Sequence, residues 1–241
     1  GWNIYTGSST NIQVLVTIIL TWVLCPIIAG LIAMFFFILT KKLLQTTSLH
    51  LLRLDAYTRT ALLLAGAFGA YSLGANNIAN VMGVFVPISP FTEINFMNIL
   101  TLSSTGQLFL LGGIAIAVGV ITYSKRVMLT VGNDLLKLSP VAAFIVVISH
   151  SIVLFLFASQ GISNFLHSIN LPSIPLVPVS SSQAIVGAVI GIGLLKGGKE
   201  VKWDIASKIA VGWVVLPIIA ALISFVILFV LQNIFNQTVY F

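Results

Sequence analysis

The segments "TWVLCPIIAGLI" (residues 21–32) and "GWVVLPIIAALI" (residues 212–223) agree at eight of twelve positions in register, Trp22 with Trp213 and Pro26 with Pro217 among them. Two unrelated oily helices seldom match a tryptophan and a proline at one spacing. The segments therefore read as equivalent parts of two repeats. How the repeats are related depends on how often the chain crosses a membrane between them.

Working outward from the twins, apolar runs occur at residues 14–39, 61–87, 108–123, 141–165, 180–195 and 205–231, six in all. A membrane helix needs about 20 mostly apolar residues. Of 241 residues, 59% are hydrophobic and 7% charged, and the mean hydropathy is +1.13, whereas a soluble domain carries about 25% charged residues. The composition excludes a soluble globular domain and predicts an all-α, multi-pass integral membrane protein of about six segments. At about 1.5 Å per residue the fifth run reaches only about 24 Å, short of a core of about 30 Å, so it reads as a half-helix.

The basic residues orient these runs. Lys41, Lys42, Arg53 and Arg59 follow the first; Lys125, Arg126 and Lys137 follow the third; Lys196, Lys199 and Lys202 follow the fifth, with Lys208 at the inner end of the sixth. Residues 1–13, 88–107 and 166–179 hold none. Basic loops stay cytoplasmic, so residue 1 is expected on the extracytoplasmic side of the plasma membrane. The twins then cross in opposite directions, an inverted repeat of the kind that builds secondary transporters around a midplane site. Residues 1–44 are expected to be the tail of the first repeat, 45–58 a cytoplasmic linker and 59–241 the second repeat. A missing upstream half should hold the counterpart of residues 59–180, unless two chains pair as a homodimer to complete the site.

The polar residues inside the oily runs mark the chemistry. "GANNIAN" (74–80) puts three amides in seven residues near the middle of the second run. On an unbroken helix Asn76 and Asn80 share a face, with Asn77 beside Asn80. A buried amide without partners is costly, so these side chains serve either as polar glue between helices, helped by Gly66, Gly69, Gly74 and Ala75, or as ligands where the second span breaks. "PVSSSQAIVG" (178–187) is complementary: Pro178 stops a helix arriving from upstream, and Ser180, Ser181 or Ser182 caps a new one. The N–H groups at such a helix start bind an anion without a buried cation. An ordinary surface N-cap is the bland alternative.

These stretches, with "VKWDIASKIAVGWVVLPIIAALI" (201–223), resemble the repeated signatures of the inorganic phosphate transporter family and its sulfate-permease-like relatives. The resemblance covers most of the chain from residue 59 and implies a permease moving phosphate with sodium or protons by alternating access. It places substrate binding on Asn76, Asn77, Asn80, Ser180, Ser181, Ser182 and Gln183, and cation coupling on Asn77 and Asn80. Two positions depart from the family pattern, which has Asp at Asn77 and His at Gln183. Monohydrogen phosphate has a P–OH needing an acceptor, whereas sulfate only accepts; both changes remove a titratable group and keep sulfate open as the alternative substrate. Losing a carboxylate also weakens a hard-cation site.

The remaining features point away from other functions. The net charge of +6 comes with no basic run interleaved with aromatics, so no nucleic acid is expected. Cys25 stands alone and offers neither a disulfide nor a metal pair; it reads as packing. "GLLKGGKE" (193–200) resembles a P-loop but has Glu200 in place of Ser or Thr, and reads as a cytoplasmic turn. His150 reads as a hydrogen-bonded packing residue, with proton carriage as its alternative, and Asp55 as an ion pair or cap. No catalytic motif, resident metal or cofactor is expected. The competing readings are a non-transporting membrane subunit, in which the polar motifs only pack, and, more remotely, an intramembrane enzyme.

Overall fold

The computed structural model describes residues 2–7, 9, 11–47, 50–96, 100–129 and 136–238. The helices are α1 (Trp2–Thr6), α2 (Ile12–Thr46), α3 (Leu51–Met82), α4 (Ser104–Leu129), α5 (Pro140–Ala158), α6 (Gln160–Ser168), α7 (Ser181–Leu195) and α8 (Trp203–Asn233). A 3-10 turn, Gly83–Ile88, continues α3, and a hairpin of β1 (Ile94–Phe96) and β2 (Leu100–Leu102) precedes α4, pairing Ile94 with Leu102. Among the described residues four helices, α2, α4, α5 and α8, are long and apolar enough to cross a membrane. α3 is 32 residues long but diluted by Arg53, Asp55, Arg59 and the asparagines. α7, at 15 residues, reaches about 22 Å. The six segments read from the sequence are therefore present, the fifth as a half-helix.

The chain forms two compact units, Ile18–Val201 and Gly1–Thr17 with Lys202–Phe241. In the larger unit α5 and α7 are the core. α5 is started by Ser139, whose Oγ accepts from the Ala142 N–H at 3.3 Å, and has Pro140 in its first turn, where a missing N–H costs nothing. Its buried face includes Ile145, Val146, Ser149, Val153 and Leu154. α3 lays Ala65, Gly69, Ser72 and Asn76, one helical stripe of buried residues, into the unit. A Cβ on Gly69 would come within 2.7 Å of Ser151 Oγ, and Phe68 meets Phe155 edge to face with centroids 5.5 Å apart, so this stripe faces α5.

α7 meets α2 backbone to backbone. A Cβ on Gly187 would run into the Pro26 carbonyl oxygen, and one on Gly191 would lie 2.5 Å from the Gly30 oxygen. α2 answers with a buried stripe of small residues, Cys25, Ala29, Gly30 and Ala33. Such surfaces let membrane helices approach closely where no hydrophobic effect drives them together. In the smaller unit α1 rests on α8 through Tyr5 and Phe225, centroids 5.3 Å apart. The most apolar stretch of α8 has none of its residues buried.

Some details differ from the expectation. α3 begins at Leu51, inside the stretch read as linker, and passes through residues 74–80 without a break. Asn77 bonds back to its own helix, Nδ2 donating to the Leu73 carbonyl at 3.2 Å, so a polar side chain in this run does not have to open the backbone. The fourth run divides at Ser159, which ends α5 and caps α6. The hairpin at 94–102, in a stretch read only as an outer loop, is tied to α4 by Gln107 Nε2, which donates to the carbonyls of Thr92 and Leu102.

Candidate functional site

The two polar motifs meet. Asn76 is 6% exposed, and its Oδ1 accepts the Val179 N–H at 3.0 Å. The reason is backbone accounting. Pro172, Pro175 and Pro178 keep residues 171–180 out of helix, and each peptide N–H that enters an apolar interior in this state needs a partner. Val179, buried just before the Ser180 cap, presents one such donor, and Asn76 satisfies it. Asn77 is half-buried and Asn80 exposed. The structure thus brings Asn76 to the start of α7, sets Asn77 next along α3, and leaves Asn80 on an open face.

Ser180 is the N-cap of α7, with extended backbone and Oγ accepting from the Gln183 N–H at 3.4 Å. Its hydroxyl also lies 3.0 Å from Ser182 Oγ. The helix's first intrahelical bond runs from the Ala184 N–H to the Ser180 carbonyl, which leaves the N–H groups of Ser181 and Ser182 without intrahelical acceptors. Ser181 is half-buried and Ser182 exposed. These N–H groups, hydroxyls and the positive end of the α7 dipole make a donor-rich pole suited to an anion.

Gln183 is the exception in this set. It is 4% exposed, and its Oε1 is buried with no hydrogen-bond partner. Buried polar atoms are nearly always satisfied, so an unmatched acceptor beside a row of donors calls for a ligand that itself donates. Two further buried atoms share this condition in α5, the helix packed on α7: Ser149 Oγ and His150 Nε2. His150 was expected to be hydrogen-bonded; its Nε2 is not. Sequence reasoning passed over Ser149 altogether, although a serine beside a histidine in an otherwise apolar run was a visible signal. Cys25 is fully buried, as expected of a packing residue, and its Sγ reaches the Ser180 carbonyl at 3.7 Å.

The discounted features take ordinary places. Asp55 pairs with Arg59 at 2.9 Å on an exposed surface. Residues 196–200 form a turn with Gly197 and Gly198 at positive φ (93° and 74°), a conformation that glycine adopts without strain, and Lys196 faces Glu200 at 3.8 Å.

The chain is thus a multi-pass α-helical membrane fold with a half-helix in its core, the serine-rich start of which is anchored by an asparagine from a neighbouring helix. The model of the phosphate transporter family matches residues 1–164 and 171–240. The chain belongs to that family.

Its relatives include proteins named "putative phosphate permease" from Methanocaldococcus jannaschii, 32% identical over 91% of this chain and 62% of that one, and from Thermococcus kodakarensis, 29% identical over 81% of this chain and 44% of that one. Sodium-dependent phosphate transporter 1-A of Xenopus laevis is 27% identical over 67% of this chain and 21% of its own. The chain thus spans about three-fifths or less of these relatives' length. A solved sodium-dependent phosphate transporter has the same fold, with a TM-score of 0.61 at 21% identity over 86% of this chain and 64% of that one.

Proposed function

We propose that this chain carries the second inverted repeat of an inorganic phosphate permease, a non-enzymatic secondary transporter working by alternating access. Phosphate is held at the start of α7 by the Ser181 and Ser182 N–H groups and the hydroxyls of Ser180, Ser181 and Ser182, with Asn76 fixing the approach to the helix and the Asn77 and Asn80 amides completing the second-repeat half of the site. The observation that carries this reading is the buried, unpartnered Oε1 of Gln183. Monohydrogen phosphate offers one P–OH donor among its acceptor oxygens, and sulfate offers none. A pole of donors with a single buried acceptor beside it therefore suits phosphate, and Gln183 takes over the accepting role that a titratable residue has elsewhere in the family.

The coupling ion is sodium, in keeping with relatives named for sodium dependence. Amide and backbone carbonyl oxygens, Asn77 and Asn80 included, are suitable hard ligands for it. The basic loops place residue 1 outside and the α7–α8 turn, with Lys196, Lys199 and Lys202, in the cytoplasm.

The test is uptake of radiolabelled phosphate and sulfate, side by side, into vesicles bearing the transporter with both repeats, with and without an inward sodium gradient. Sodium-driven phosphate uptake is expected, falling about tenfold or more in Gln183→Leu, the scale of losing a hydrogen bond to a charged ligand. Sulfate uptake at or above that of phosphate would overturn the substrate assignment.

A further inference from the structure

Between α5 and α7 the chain reverses, and each part of the reversal is held by named bonds. Ser159 ends α5 and caps α6, its Oγ accepting from the Ile162 N–H at 3.3 Å. Ile169 closes α6, and Asn170 follows with a positive φ of 57°. Leu171 then donates its N–H to the Leu166 carbonyl at 3.0 Å, and Asn170 donates to that of His167 at 3.1 Å. This pair of bonds around a left-handed residue is the Schellman arrangement, which closes a helix and turns the chain away. Asparagine adopts that conformation more readily than any residue with a longer or branched side chain.

The chain leaves the turn as a strap, residues 171–180, with prolines at 172, 175 and 178. Proline at every third position fixes φ repeatedly and favours an extended, stiff chain. Two side chains from other elements pin the strap. Ser163 of α6 donates from Oγ to the Ile174 carbonyl at 3.2 Å, and Asn76 of α3 accepts the Val179 N–H at 3.0 Å. Ser180, the residue after the second pin, caps α7. The strap therefore runs from an outer pin to an inner one and ends on the helix start that presents its N–H groups and hydroxyls.

We propose that Ser163 and Asn170 are positioning residues for the anion site, acting through the strap to set where the first N–H groups of α7 stand. The proposal rests on the phosphate reading given above. Neither residue belongs to the two polar motifs, and each acts at a distance by a mechanical route. One hydrogen bond at Val179 fixes a point of the strap and leaves its direction free. A second bond at Ile174 fixes the direction, provided that the chain between the two is stiff, and Pro175 and Pro178 make it so. In a flexible strap the loss of the Ser163 bond would be felt at Ile174 alone. In a stiff one it reaches Val179 and the Ser180 cap.

The test begins with amide hydrogen exchange in the transporter with both repeats, without phosphate, comparing Ser163→Ala, Ser163→Thr and Asn170→Val with the parent. Ser163→Ala is expected to speed exchange at the Val179 amide about threefold or more, as a weakened hydrogen bond opens locally, while α7 amides from Gly187 onward keep their rates. Asn170→Val, a branched residue at positive φ, should do the same, and Ser163→Thr, which keeps the hydroxyl, should not. Binding of radiolabelled phosphate to the same proteins should be about threefold to tenfold weaker in Ser163→Ala and Asn170→Val, the scale of one net hydrogen bond, and near the parent's in Ser163→Thr. An unchanged Val179 rate in Ser163→Ala would overturn the proposal by confining that bond to Ile174. A faster rate with undiminished phosphate binding would overturn it too, since the strap would then not set the site. If the parent binds sulfate and not phosphate, the substrate reading falls, and the same comparisons made with sulfate decide this one; binding of neither anion would overturn both.

Discussion

Residues 21–32 and 212–223 are nearly the same peptide with opposite fates. In α2, Cys25 and Ala29 are fully buried and Gly30 touches another helix's backbone; in α8, the matching Leu216 is 64% exposed and the most apolar stretch around it has no buried residue. Both form helix, since the local preference is shared. What differs is the presence of a glycine-bearing half-helix, and two of the four substitutions between the twins follow that difference: cysteine and glycine where α7 presses, leucine and alanine where nothing in the unit does. Local sequence thus determines the element, and a partner's small residues determine whether its face is buried.

The sharpest way to break the comparison is to spoil the seat from the α7 side. Gly187→Leu puts a side chain where the Pro26 carbonyl stands, and backbone cannot rotate aside as a side chain can. A loss of about 3 kcal/mol or more is expected, the upper range for overpacking, seen as a large drop in melting temperature or failure to accumulate in the membrane. Ala221→Leu on the bare twin should change the stability of this chain by less than about 0.5 kcal/mol, as for an unpacked surface position. Equal effects at the two sites would mean that the α2–α7 crossing is not what distinguishes them.

The next effect tests what holds the start of α7 in place. Asn76→Ala leaves the buried Val179 N–H without its acceptor, at a cost of about 1–3 kcal/mol, while Asn80→Ala, on an exposed position, stays within about 0.5 kcal/mol. Thermal unfolding in detergent separates the two. Phosphate protection against unfolding should be lost with Asn76→Ala even at a temperature where the variant is folded. If the two variants melt alike, the bond between the asparagine motif and the proline-rich approach is not structural.

Much of this architecture was legible because a membrane imposes coarse rules. Apolar runs, basic loops and the serine start of α7 each report a local property, and all six segments appear where those properties place them. The asparagines stood out for the same reason, since amides in an oily run demand partners, and two of them make bonds in the fold, Asn76 to Val179 and Asn77 to Leu73. Their partner was not legible: Val179 lies 103 residues from Asn76, and its N–H needs an acceptor because it is buried in a stretch with no helix to bond it, a condition that exists only when the chain is folded. The break expected at residues 74–80 failed for a related reason, because a side chain that bonds its own helix, as Asn77 does to Leu73, looks in sequence like one that must leave it. Ser149 was hidden in plain view, its unpartnered Oγ being a property of its burial in the folded unit rather than of its neighbours in the chain.

The smallest effect is the most discriminating, because it exchanges the twins at one position. Cys25 is fully buried with its sulfur 3.7 Å from the carbonyl of Ser180, the residue that caps α7, and the repeat places Leu216 at the same point of α8. Cys25→Leu adds a branched side chain at a filled position, costing about 1 kcal/mol by overpacking, and the strain falls on the helix start proposed to bind the anion. The midpoint for phosphate protection should therefore shift by more than the loss of stability alone requires. Leu216→Cys removes bulk from an exposed face and should leave this chain's stability within about 0.5 kcal/mol. A Leu216→Cys variant as costly to this chain as Cys25→Leu would show that the two positions do not differ in their surroundings as the buried cysteine and exposed leucine imply.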